Sequence, residues 1–435
     1  MRQVDKDILD LAVPSIVSNV TVPLLGLADL TIVGHLGSEQ YIAAIAVGSM
    51  IFNVIYWLFG FLRMGTSGMT SQALGRADYS SVKLLFRRSV IVALAIAACF
   101  LLVQVPLRWT ALTIMHPSAQ IWALASTYFN ILIWGAPAVL GLYSLNGWFI
   151  GMQDTKTPMM VAVFQNVLNI AASLWFVFGW GMQIAGVALG TLVAQWGGFA
   201  LALWMARGRF RKDRMLGQAV AGVGDKSVSW SSFFVVNRDI FLRTLCLVGV
   251  NLFFTSAGAR QGDMILAVNT LLMTFFTLFS YVMDGFAFAA EALSGKLYGA
   301  GNGPGLRQLV RRLFAWGAVM VTVFTLAYMC GGNGFLGLIT DDRAVIGAAG
   351  DYFFWACMVP AAGVAAFIYD GVFIGLTATK GMLWSSLVAT GVFFGLFIAG
   401  IRVFPANHAL WLSFIVYLAS RGGMQHCIIR KQIIT

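Results

Sequence analysis

The chain has 435 residues, 59% hydrophobic and only 10% charged. Soluble domains carry about 25% charged residues, so a soluble core could not bury this much apolar surface and the solvent must be lipid. Lys and Arg total 28 against 17 Asp and Glu, an excess that its own location, described below, separates from a nucleic-acid patch.

The first ten residues, "MRQVDKDILD", are too charged to open a cleavable signal, and no small-residue cleavage site follows. The first apolar run, 8–33, is long enough to cross a bilayer, which takes about 20 residues. Asp29 lies inside it, five positions before Gly34. At about 1.5 Å per residue that is roughly 8 Å below the interface. A short Asp side chain cannot snorkel that far, so an acid there calls for a partner or a task. Pro14 and Pro23 interrupt the same run. Each removes a backbone donor and clashes with the preceding turn, so this helix is expected to bend.

Further spans follow at 41–65, with Arg63 near its end, and at 89–106. Span four (121–148) carries Tyr128 and Asn146, span five (157–178) carries Asn166, Asn169 and Ser173, and span six (184–206) carries Thr191. Asn166, Asn169 and Ser173 fall at i, i+3 and i+7, one face of a helix. These polar residues are candidates to line a common interior with Asp29, although Asn, Ser and Thr also serve as hydrogen-bonding glue between membrane helices. The segment 207–238 is basic and contains glycine, and it reads as a flexible linker. Beyond it lie spans at 239–258, 263–288, 313–331, 351–376, 381–401 and 408–426, with Asp284, Glu291 and Asp370 as candidate acids in or near them. No Lys or Arg is expected mid-membrane.

Twelve spans put both termini on one side. Of the 28 Lys and Arg, 24 fall on the side of the termini and the 66–88, 207–238 and 289–312 loops; Arg108, Arg260, Arg343 and Arg402 fall opposite. The positive-inside rule makes the crowded side cytoplasmic. Charges spread over several short loops are a topology signal and a poor nucleic-acid surface.

"GWFIGMQDTK" (147–156) recurs as "GVFIGLTATK" (371–380), with six of ten positions identical at an offset of 224. The same offset takes Gly34 to Gly258, Gly75 to Gly299, and Arg87-Arg88 to Arg311-Arg312. Six spans separate the copies, so they share one orientation and form a parallel repeat. The expected fold is an all-α polytopic membrane protein: twelve transmembrane helices in two six-helix lobes related by a pseudo-two-fold axis. The N-lobe is 1–206, the cytoplasmic linker 207–238 and the C-lobe 239–435. Such a pair of bundles points to alternating access, with substrate between or inside the lobes.

The five cysteines are scattered through apolar segments and read as reduced small hydrophobes. His35, His116, His408 and His426 form no metal-ligand spacing. "GAGNGPG" (299–305) lacks the Lys-Ser/Thr ending of a phosphate loop. No metal, no cofactor and no enzyme activity is expected.

The stretches "PLLGLADLTIVGHLG" (23–37), "GFLRMGTSGMTSQALG" (60–75), "GWFIGMQDTKTPM" (147–159) and "MDGFAFAAEALSGKLYGA" (283–300) resemble the MATE family, multidrug and toxic compound extrusion transporters, and most of all its DinF branch. The resemblance implies a monomeric multi-pass protein of the bacterial inner membrane that exports organic, often cationic, compounds by antiport with protons or sodium. It implies that Asp29 is the coupling-ion residue and Pro14 the bend of the first helix. Tyr128, Asn146, Asn169 and Thr191 would be polar cavity positions. Ser173 departs from relatives that carry a second acid there, which favours protons over sodium. Asp284 and Asp370 are the next candidate acids, with Glu291 and Arg63 as further secondary candidates. A lipid-linked precursor flippase of the same superfamily is the alternative.

Overall fold

The computed structural model describes residues 3–34, 38–218 and 229–434. His35 and the linker centre at 219–228 lie outside the described residues. In lipid each segment must satisfy its own backbone, so runs of this length become helices, and among the described residues there is no strand.

The first half comprises α1 (Gln3–Gly34), α2 (Glu39–Leu58), α3 (Phe61–Gly75), α4 (Tyr79–Leu102), α5 (Gln104–Met115), α6 (Ala119–Leu132), α7 (Ala136–Gly151), α8 (Lys156–Leu174), α9 (Gln183–Lys212) and the short α10 (Arg214–Gln218). The second comprises α11 (Trp230–Ala259), α12 (Asp263–Gly299), α13 (Gly303–Ile339), α14 (Arg343–Gly350), α15 (Phe353–Gly375), α16 (Thr379–Gly400) and α17 (Ala406–Ile434). Only Phe59 and Gly60 separate α2 from α3, and a 3-10 turn, Ile133–Gly135, joins α6 to α7. A π turn, Trp175–Gly179, extends α8. With these pieces joined, each of the twelve predicted spans has its helix. Ten stretches among the described residues are long and apolar enough to cross a membrane, and α1 and α17 complete the twelve. α1 stays helical through both Pro14 and Pro23.

The described ends of the linker are ordered helix rather than loop. Residues 207–212 continue α9, and α10 follows after Asp213. Phe210 stacks on Trp148 and meets Phe86 edge-on, while Leu216 is fully buried. Counting charges favours a loop there. The apolar residues between the charges, which pay the ordering entropy by packing, decide otherwise.

Two compact units emerge: Val17–Phe233, and Met1–Ile16 with Phe234–Thr435. Within them the repeat is visible residue by residue. Ala77 (φ 55°) and Gln153 (φ 62°) adopt left-handed backbone, as do Gly301 (φ 68°) and Thr377 (φ 52°), each 224 positions on. Asp78 caps α4 by accepting from the Ser81 N–H, and Asn302 caps α13 from Gly305. The recurrent glycines of the repeated motif let helices touch. A Cβ at Gly147 would overlap the Arg63 carbonyl and one at Gly371 the Ala287 carbonyl, again 224 apart. Gly147→Ala should therefore overpack the α3–α7 contact at a cost of about 1–3 kcal/mol. Gly423→Ala, whose Cβ meets nothing within 4 Å, should leave the melting temperature in detergent unchanged. Equal melting of both variants would remove this account of the motif.

Candidate functional site

The Val17–Phe233 unit buries a carboxylate among neutral polar groups. Asp29 on α1 is 6% exposed. Its Oδ2 accepts from the Thr191 hydroxyl of α9 at 3.3 Å, and the Asn169 amide of α8 donates to that same Thr191 oxygen at 2.9 Å. Thr191 has one hydroxyl proton and two acceptors, since the Val187 carbonyl lies at 3.1 Å. Asp29 Oδ1, Asn169 Oδ1 and Ser173 Oγ are buried without a hydrogen-bond partner. Ser173, fully buried one turn beyond Asn169, lies against Gly190 of α9, where any side chain would strike it. Tyr128 on α6 is buried within electrostatic range of Asp29, and its hydroxyl is 3.3 Å from Ser49 Oγ.

The structure thus brings Asp29, Asn169, Thr191 and Tyr128 together. Asn166 sits elsewhere: its amide donates to the Thr21 carbonyl at 3.0 Å, fastening α8 to α1 two residues before Pro23. Asn146 on α7 has a buried, unpartnered Oδ1, and Arg63 on α3 lies within electrostatic range of Tyr143. Sequence reasoning missed Tyr56. It is buried and stacked on Phe52 within this unit, and its hydroxyl has no partner. In an apolar run a Tyr reads as packing, and nothing in its spacing marks the hydroxyl.

A second polar cluster lies in the unit of 1–16 and 234–435. Asp370 on α15 accepts from Gln425 at 2.6 Å through Oδ1, and from Arg421 at 3.2 Å and from Arg243 through Oδ2. All four residues are buried. Arg243 and Arg421 lie inside α11 and α17, near the ends of the predicted spans 239–258 and 408–426. Each guanidinium is turned onto Asp370. Both Asp370 oxygens are thereby occupied. Glu291 is buried on α12 and Asp284 is half-buried on the same helix.

A deeply buried acid with a partly unsatisfied carboxylate, set in a twelve-helix membrane fold, marks a functional site within a membrane protein. The MatE family model matches residues 14–175 and 240–397, and the chain belongs to that family, whose members are transporters rather than enzymes. The Lipid II flippase MurJ model matches residues 126–235. The chain is 35% identical to the DNA damage-inducible protein F of Escherichia coli K12, over 96% of this chain and 90% of that one. It is 20% identical to the multidrug export protein MepA of Staphylococcus aureus, over 78% and 75%. The Vibrio cholerae MATE transporter VcmN in its bent form superposes with a TM-score of 0.88 at 18% identity, covering 99% of this chain and 97% of that one.

Proposed function

We propose that the chain is a secondary active multidrug exporter that exchanges organic, often cationic, compounds for protons through Asp29 by alternating access. The observation that carries this reading is the environment of Asp29: a buried carboxylate held by one hydroxyl, with its second oxygen open. A proton and a cation compete for that group, and the mutual exclusion is the linkage antiport requires. Asn169, Thr191 and Tyr128 hold the anion when it forms. The bacterial relatives named for multidrug export and DNA-damage induction support a role in a bacterial inner membrane.

A second reading has its own support. Asp29 Oδ1, Asn169 Oδ1 and Ser173 Oγ are three buried oxygens without partners, and hard cations take oxygen ligands. Sodium coupling follows if they converge on one ion. The flippase alternative rests on the 126–235 match; the two buried guanidiniums that could serve an anionic lipid headgroup both bind Asp370.

The deciding experiment reconstitutes the purified chain in liposomes and imposes proton and sodium gradients separately, following ethidium as the transported cation. Proton-driven movement without sodium supports the proposal, and movement under the sodium gradient alone overturns it. Both termini and the linker are assigned to the cytoplasm. Asp225→Cys should resist an impermeant thiol reagent in intact cells and react after permeabilisation, and strong labelling from outside would invert the topology.

A further inference from the structure

The exposed stripe of α9 changes character at one residue. Val193, Trp196, Ala200, Trp204, Arg207 and Arg211 follow one another at steps of three and four, so they share one helix face, and all six are exposed. From Val193 to Trp204 the helix rises about 16 Å, close to half of the roughly 30 Å hydrocarbon core. Trp204, 72% exposed, stands where an indole marks the boundary with the headgroups. Arg207 and Arg211 follow roughly 5 and 10 Å further along the axis. Side chains on a helix lean toward its N-terminus, and the N-terminus of α9 lies back across the membrane. The two arginines therefore reach back toward headgroup level. The backbone that carries them is fixed, because Phe210 packs on Trp148 and Phe86 and the buried Leu216 of α10 closes the end. Among the described residues neither arginine has an ion-pair partner. The next acid along the chain, Asp213, accepts from the Leu216 N–H at 3.1 Å.

We propose that this face of α9 binds an anionic phospholipid of the leaflet on the linker side. An acyl chain lies along 193–200, the ester level falls at Trp204, and the phosphate sits between Arg207 and Arg211. Residues one turn apart have Cβ atoms about 5–6 Å from each other, so two guanidinium forks can close on one phosphate. Two general rules favour cations at this helix end without any lipid: the positive-inside rule and the helix dipole. Neither rule chooses a face. Arg209 and Lys212 are exposed in the same last turn and satisfy both rules equally. At about 100° per residue they point roughly 170° and 110° away from the stripe. Arg207 and Arg211 differ from them in being continuous with the apolar stripe, and a phospholipid is the ligand that joins an anion to an acyl chain. A lipid whose headgroup also carries a cation offers these arginines less. The inference goes beyond the exporter reading, and its test reads binding alone.

The test titrates the full chain in detergent micelles with dioleoylphosphatidylglycerol, dioleoylphosphatidylcholine or inorganic phosphate, and reads binding from the rise in melting temperature. Phosphatidylglycerol should stabilise wild type far more than either of the others. Arg207→Gln with Arg211→Gln should bind it about thirtyfold more weakly, about fivefold for each arginine near anionic headgroups. Arg209→Gln with Lys212→Gln removes the same charge and should bind within about twofold of wild type. Arg207→Lys with Arg211→Lys keeps the charge without the forks and should fall between. Equal weakening in the two glutamine pairs would make the attraction a matter of net charge and overturn the site. Equal stabilisation by phosphatidylcholine or by inorganic phosphate would overturn the assignment to an anionic lipid, as would a wild type that gains nothing from phosphatidylglycerol. If the Arg207 and Arg211 pair of glutamines does not fold, the single variants Arg211→Gln and Arg209→Gln carry the comparison. The first should lose about fivefold and the second nothing, and equal affinities refute the proposal.

Discussion

Asp29→Asn is expected to insert and fold normally, to bind ethidium with an affinity that no longer changes with pH, and to show no proton-driven efflux. The amide copies the shape of a protonated carboxyl but cannot exchange its proton. In wild type the Thr191 hydroxyl has two acceptors, the Asp29 carboxylate at 3.3 Å and the Val187 carbonyl at 3.1 Å. An ionised Asp29 attracts the hydroxyl proton more strongly, because charged acceptors make the stronger bond. Once Asp29 carries a proton, Thr191 is free to turn to its own backbone, and α1 loses its link to α9. The asparagine holds the site permanently in a neutral state. What disappears is a coupling of about 1–3 kcal/mol, a factor of about 5–150 in affinity between the two protonation states. Liposome flux and binding measured across pH 5.5–8.5 check both parts. Proton-driven efflux at the wild-type rate in Asp29→Asn would make this acid structural.

The second large effect is on folding. Asp370→Ala should leave the Arg243 and Arg421 guanidiniums buried without their shared anion. Breaking a buried ion pair by removing one partner costs about 3–5 kcal/mol, a large share of the roughly 5–15 kcal/mol that holds a domain together. The variant should fail to accumulate in membranes or should precipitate on extraction. Asp370→Asn keeps a carbonyl acceptor and should be milder. The triple variant Asp370→Leu, Arg243→Met, Arg421→Met removes every charge at once and should recover accumulation, since replacing a buried triad with apolar residues is often neutral or stabilising. Recovery of folding without recovery of transport would assign the cluster a second task. Normal accumulation of Asp370→Ala would show that the guanidiniums find other partners. Fluorescence-detected gel filtration of membrane extracts reads all of these.

The helices were legible because lipid leaves few choices. Run length alone placed twelve spans, and the 224-residue offset divided them into equivalent halves. Asp29 was legible because an acid with no reach to water has few bland explanations. The misses share one cause. In the sequence Arg243 and Arg421 counted only toward topology and Asp5 only toward a charged N-terminus, whereas the structure pairs each with a partner more than 50 residues away. Such pairings are long-range and carry no local signature. Asn166 shared the helix face of Asn169, yet it serves the α1 backbone, because periodicity fixes direction and cannot name the atom met there. The linker ends misled in the opposite sense, since their charges concealed Phe210 and Leu216.

The Asp370 cluster also sets a timetable for synthesis. Arg243 emerges from the ribosome 127 residues before the aspartate it will bind. At about 5–20 residues per second, α11 waits roughly 6–25 s for its counter-ion, and Arg421 arrives later still. During that wait a lone arginine near a span end opposes insertion by less than the about 2.5–3.5 kcal/mol it costs at a helix centre. Chains stalled before α15 should therefore integrate α11 less completely than chains that have passed it.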